Sequence, residues 1–135
     1  MGFDQYHEPP EELSAEIRTF ARLATSLIEE AEAISWYEQR MSVEADDAAR
    51  AIMDDAQGEE FKHFSMDLEY LLRRTPKWRE IAEGILFTEG DIVQEGEAAE
   101  AAANDEDEPE GGAPAAGVGG SDGSLGIGSL KGEGL

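Results

Sequence analysis

Apolar side chains recur at Leu13, Ile17, Phe20, Ala21, Ala24, Leu27, Ile28, Ala31 and Ile34, a period of 3.6 residues held over several turns. Such a stripe folds as a long amphipathic helix, and one apolar face needs another element to cover it. A second stripe follows at Ala49, Ile52, Met53, Ala56, Phe64, Leu68, Leu71 and Leu72. The spacing predicts helices over about 11–40 and 46–74, joined by a short turn into an antiparallel hairpin. Pro9-Pro10-Glu11-Glu12 suits a helix start, with proline before the first turn and acids at the positive end of the dipole. Thr75-Pro76 ends the second helix, because proline lacks the amide donor and restrains the residue before it. Pro76 then opens a short third helix, Lys77 to about Phe87, closed by Thr88-Glu89-Gly90. No strand pattern occurs, so the fold class is all-α.

The patterned region is short. Of 135 residues, those beyond about 88 carry few apolar side chains until Leu125, leaving roughly 87 to build a core. A chain of that size made of long helices completes its core by pairing with copies of itself, here as a dimeric four-helix bundle. The net charge of −22 argues against nucleic acid and anionic membranes, which demand clustered Lys and Arg. It is compatible with attracting cations, and equally with plain solubility. The absence of cysteine removes disulfides, thiolate zinc sites and iron–sulfur clusters. No apolar run spans a bilayer and no signal-peptide pattern opens the chain, so a cytoplasmic location is expected.

Four segments follow from these shifts: a leader over 1–10, a helical domain over 11–90, a flexible acidic and Gly/Ala-rich linker over 91–123, and a terminal peptide over 124–135. The linker composition buries too little apolar surface to offset ordering entropy. Apolar residues reappear at Leu125, Ile127 and Leu130 among Gly and Ser. A short apolar peptide on a solvated leash is the layout of a docking motif; the other reading is a tail with incidental leucines.

Ionisable groups interrupt both stripes. On the first helix the line Leu23, Leu27, Glu30, Ile34, Tyr37, Met41 places a carboxylate among apolar side chains. On the second, Met53, Ala56, Glu60, His63 or Phe64, Asp67 and Leu71 do the same. A buried unpaired carboxylate is costly unless protonated, hydrogen-bonded or bound to metal. Glu30 lies about 14 residues before the turn and Glu60 about 16 after it, so at a ~1.5 Å rise the two meet within a few ångströms. Glu60 and His63 form a Glu-x-x-His step, which puts a carboxylate and an imidazole on one helix face. Bundles that hold two metal ions need that step twice, with a further Glu from each of two other helices. This chain carries half of such a site. Its ligand types suit Fe²⁺, Mn²⁺ or Zn²⁺, and the alternative is a buried polar network. Tyr37 is placed to hydrogen-bond a ligand or to fill the core, Trp36 reads as packing, and Glu29 and Glu32 point away from the stripe.

Glu29-Glu30-Ala31-Glu32-Ala33-Ile34-Ser35-Trp36-Tyr37-Glu38-Gln39-Arg40, with Glu59-Glu60-Phe61-Lys62-His63, resembles the encapsulated ferritin family. Leu68 to Arg74, Lys77-Trp78 and Leu86 to Gly90 are similar as well, so the likeness covers roughly Ala24 to Gly90. Ser124 to Lys131 resembles the peptide by which such cargo binds the inner wall of an encapsulin shell. The resemblance implies a dimer forming a ferritin-like four-helix bundle, and five dimers forming a decamer. It implies a ferroxidase centre at the dimer interface, where Glu30, Glu60 and His63 of each subunit hold two iron ions as Fe²⁺ is oxidised by O₂. Glu29 and Glu32 would be outer metal sites on the way in, with Tyr37 and Trp36 close to the centre. Leu125, Ile127 and Leu130 would bind the shell, whose lumen stores the iron. A non-catalytic iron-binding or structural cargo protein is the competing reading.

Overall fold

The computed structural model describes residues 4–107, and among these all regular structure is helical. A 3-10 turn, Pro10–Glu12, precedes α1 (Ala15–Val43), α2 (Asp47–Arg74), α3 (Pro76–Ile85) and α4 (Ile92–Glu106). The chain divides after Arg79 into two compact units.

In the first unit the hairpin forms as the pattern requires. Ser14 caps α1 by accepting a hydrogen bond from the Ile17 amide at 3.1 Å, a bond that satisfies one of the free amides of the first turn. Arg18 reaches back to the carbonyl oxygens of Pro10 and Leu13, tying the leader's last turn to the helix. Asp46 caps α2 through its carboxylate, which accepts from the Ala49 amide at 2.8 Å. Glu44 accepts from the Asp46 amide at 2.8 Å, so the reversal between the helices is itself hydrogen-bonded. α1 and α2 then pack along each other as an antiparallel pair.

That pair is thinly covered. Leu71 and Leu72 are its buried apolar residues, whereas Ile52 is 71 % exposed, Met66 61 %, Ile17 53 %, Phe61 52 % and Trp36 51 %. A stable single-chain core does not leave so many large apolar groups in water.

One expectation is corrected in the second unit. The stretch read as a flexible linker from residue 91 is helical over Ile92–Glu106. Asp91 caps this helix, accepting from the Gln94 amide at 2.9 Å, and its Ala- and Glu-rich composition has high helix propensity. Gly84 on α3 lets α4 approach closely: a Cβ there would stand 2.6 Å from the Ala99 Cβ. Ala99 and Ala103 are buried accordingly. Composition alone suggested disorder because small alanines add little apolar area, but a small side chain is what a close helix contact admits. Between α3 and α4 the chain turns at Phe87, whose φ is 66° and whose side chain is fully exposed. The rest of the linker and the terminal peptide, with Leu125, Ile127 and Leu130, lie outside the described residues.

Candidate metal centre

Two capped helices bring their stripe-interrupting groups to one place. One ligand atom each from Glu30, Glu60 and His63 lies within 4.8 Å of the others. His63 Nδ1 stands 3.5 Å from Glu60 Oε2, the separation of an i, i+3 pair on one helix face. Glu30 arrives from α1. Its height is set by Gln57, which is 5 % exposed and whose Nε2 donates to the Ile34 carbonyl oxygen and to Glu38 Oε2, both at 3.0 Å. Those two acceptors bracket Trp36, so Gln57 is level with Trp36. Six residues back along α1, Glu30 is therefore level with His63, six residues on along α2.

The carboxyl groups of Glu30 and Glu60 face each other. A hydrogen bond between them, burial, and the Glu60 charge push Glu30 up to about 7, against the opposing pull of His63. Like carboxylates this close cannot both ionise easily, and a shared proton is the cheapest relief in the absence of a cation. A divalent ion that displaced it would be held by two carboxylate oxygens and an imidazole, a donor set suited to Fe²⁺, Mn²⁺ or Zn²⁺. Three side-chain ligands leave the remaining coordination positions open. The His63 side chain is 46 % exposed against 21 % for Glu60, so the cluster opens at the surface of the hairpin.

Glu29 and Glu32, expected as outer sites, stand outside this group of three ligands and are exposed. Glu59, next to the cluster in sequence, is turned to Lys62 at 2.6 Å, which holds its carboxyl below the usual range. The guanidinium of Arg40 lies 5.3 Å from the centre of the Tyr37 ring, and Trp36 is half exposed. Gln57 escaped the sequence reading although it carries the register. Its signal was present: a polar residue one turn before Glu60, beside Ala56 on a core-facing line.

The profile of the EncFtn-like family matches residues 5–89. The chain belongs to the EncFtn-like family. Its relatives include the encapsulated ferritin-like protein of Rhodospirillum rubrum, 44 % identical over 128 residues that span 94 % of this chain and 88 % of that one. The ferritin-like protein of Thermotoga maritima is 43 % identical over 91 residues, 67 % of this chain and 80 % of its own. Among solved structures, protein NE0167 from Nitrosomonas europaea superposes with a TM-score of 0.64 at 38 % identity, covering 67 % of this chain and 99 % of that one. A ferritin-like, iron-related function follows from this membership. No helix among the described residues of this EncFtn-like chain is long and apolar enough to cross a membrane.

Proposed function

We propose that the protein is a ferroxidase that oxidises Fe²⁺ to Fe³⁺ with O₂ at a dinuclear centre shared by two subunits. The observation that carries this reading is the convergence of Glu30, Glu60 and His63, with His63 left open at the hairpin surface. One such set is half of a two-metal bundle site. A second copy packed on the hairpin over this site would supply the other half and cover exposed apolar side chains such as Ile52 and Met66. Iron is the substrate, entering as Fe²⁺. Glu60 would lie between the two ions, Glu30 would ligate from α1, and His63 would complete each set. Binding displaces the proton held between Glu30 and Glu60. Four Fe²⁺, one O₂ and four protons then give four Fe³⁺ and two waters. The carboxylates favour the ferric product because they neutralise its greater charge.

Glu29 and Glu32, exposed on α1 beside Glu30, would serve as outer stops for incoming cations. The dimer would assemble further to a decamer of five dimers. Leu125, Ile127 and Leu130 would dock the terminal peptide on the inner wall of an encapsulin shell, whose lumen would take the ferric product.

Aerobic addition of Fe²⁺ to the purified full chain, followed by ferric absorbance, tests the chemistry. Rapid oxidation in the wild type, lost in Glu60→Ala and His63→Ala, is expected. Equal slow rates in all three would replace the ferroxidase with a non-catalytic iron-binding or structural cargo protein.

A further inference from the structure

Asp67 stands on the same face of α2 as the centre, one turn beyond His63, as Glu60 stands one turn before it. Because Glu30 is level with His63, it has a carboxylate on each side: Glu60 toward the hairpin turn and Asp67 toward the far end of α2. Glu60 has Glu30 and His63 as partners. Asp67 Oδ2 has no such partner: that oxygen is shut off from solvent and meets no hydrogen-bond donor. A covered carboxylate oxygen without a donor is costly, and native proteins keep few of them. Asp67 is nevertheless close enough to feel the charge of His63, and Glu30 feels the charge of Asp67. Its surroundings call for a positive charge, and no Lys or Arg among the described residues is bonded to that oxygen.

We propose that Asp67 is a further cation-binding residue, which together with Glu30 offers a divalent metal ion a second carboxylate position on the side of Glu30 away from Glu60. Two carboxylates match the charge of a dication, and hard oxygen donors take Fe²⁺, Mn²⁺ or Co²⁺. Glu30 then belongs to two neighbouring positions, one completed by Glu60 and His63 and one by Asp67. The consequence is a greater cation capacity per chain than the Glu30–Glu60–His63 set alone provides, with the added position one helical turn along the bundle. The proposal rests on the reading of that set as a metal centre.

Titration of the full-length protein with Co²⁺, read by calorimetry and by the visible absorption of the bound ion, separates the possibilities. Asp67→Asn is nearly isosteric and removes the charge, and Asp67→Glu keeps it. The wild type is expected to bind one more Co²⁺ per chain than Asp67→Asn. The remaining affinity should change less than about tenfold, the loss that outer-shell changes typically begin to cause. Asp67→Glu should restore the count, and helical circular dichroism should be unchanged throughout. An unaltered count in Asp67→Asn, whatever its affinity, would overturn the proposal, since Asp67 would then act only as a neighbouring charge. Glu60→Gln keeps this failure apart from that of the centre itself. Loss of Co²⁺ in Glu60→Gln but not in Asp67→Asn leaves the centre standing without Asp67. A wild type that binds no Co²⁺ removes both.

Discussion

The amide nitrogen of Gln57 donates to the main-chain oxygen of Ile34 at 3.0 Å, a side-chain bond that crosses between the two long helices. Together with its bond to Glu38, it fixes how far α1 can slide along α2. A shift of one residue would move Glu30 by ~1.5 Å and rotate it about 100° from its partners. The polar contact of Gln57 thus sets the metal ligands on neighbouring helices at one height.

Replacing Gln57 by leucine keeps the bulk and removes both bonds. Loss of buried hydrogen bonds of this kind costs about 1 kcal/mol each, and the abandoned Glu38 is exposed enough to be solvated. Thermal unfolding should show destabilisation of about 1–2 kcal/mol. If the register also loosens, Co²⁺ affinity falls in Gln57→Leu and is unchanged in a control such as Gln39→Leu, whose amide bonds only within α1.

Glu30 makes a prediction with pH. Its carboxyl is raised from 4.5 to about 7, chiefly by its hydrogen bond with Glu60. The folded protein therefore holds a proton that the unfolded chain releases, so this contribution is fully present below about 4.5 and is lost as pH rises through 7. Stability of the metal-free wild type should fall across that window relative to Glu30→Gln, whose amide stands in for the protonated carboxyl and does not titrate. Cation binding has the opposite slope, because the ion must displace the same proton. Co²⁺ affinity should rise with pH up to about 7, and calorimetry in buffers of different ionisation heat should detect proton release near neutrality and less above it. Glu60, His63 and Asp67 are the charged groups that face Glu30, so Glu60→Gln should abolish most of this dependence.

Gly84→Leu tests the packing of α4. Even a Cβ at that position would meet Ala99 at 2.6 Å, so a larger side chain must drive α3 and α4 apart. Overpacking of this sort costs about 1–3 kcal/mol. Hydrogen exchange over residues 92–106 should accelerate in the variant while exchange over α1 and α2 stays as in wild type. Equal protection of α4 in both proteins would contradict the packing described.

Deletion of residues 121–135 should leave iron oxidation in solution intact and abolish co-purification with a co-expressed encapsulin shell. Recovery of the truncated protein inside the shell would refute the role proposed for Leu125, Ile127 and Leu130.

By itself the sequence determined the all-helical class and the hairpin. These rest on local rules: the 3.6-residue period over both long helices, and Pro76 after Thr75. It also marked Glu30, Glu60 and His63 as candidates, because a charged group on an apolar stripe is visible without coordinates. What only the tertiary structure decided was register and close approach. The height of Glu30 depends on Gln57 reaching across to another helix, and α4 depends on Gly84 admitting Ala99. The same holds for Asp67, whose oxygen is covered and without a donor only once the chain has folded. Such contacts join residues far apart in the chain, and no local periodicity records them.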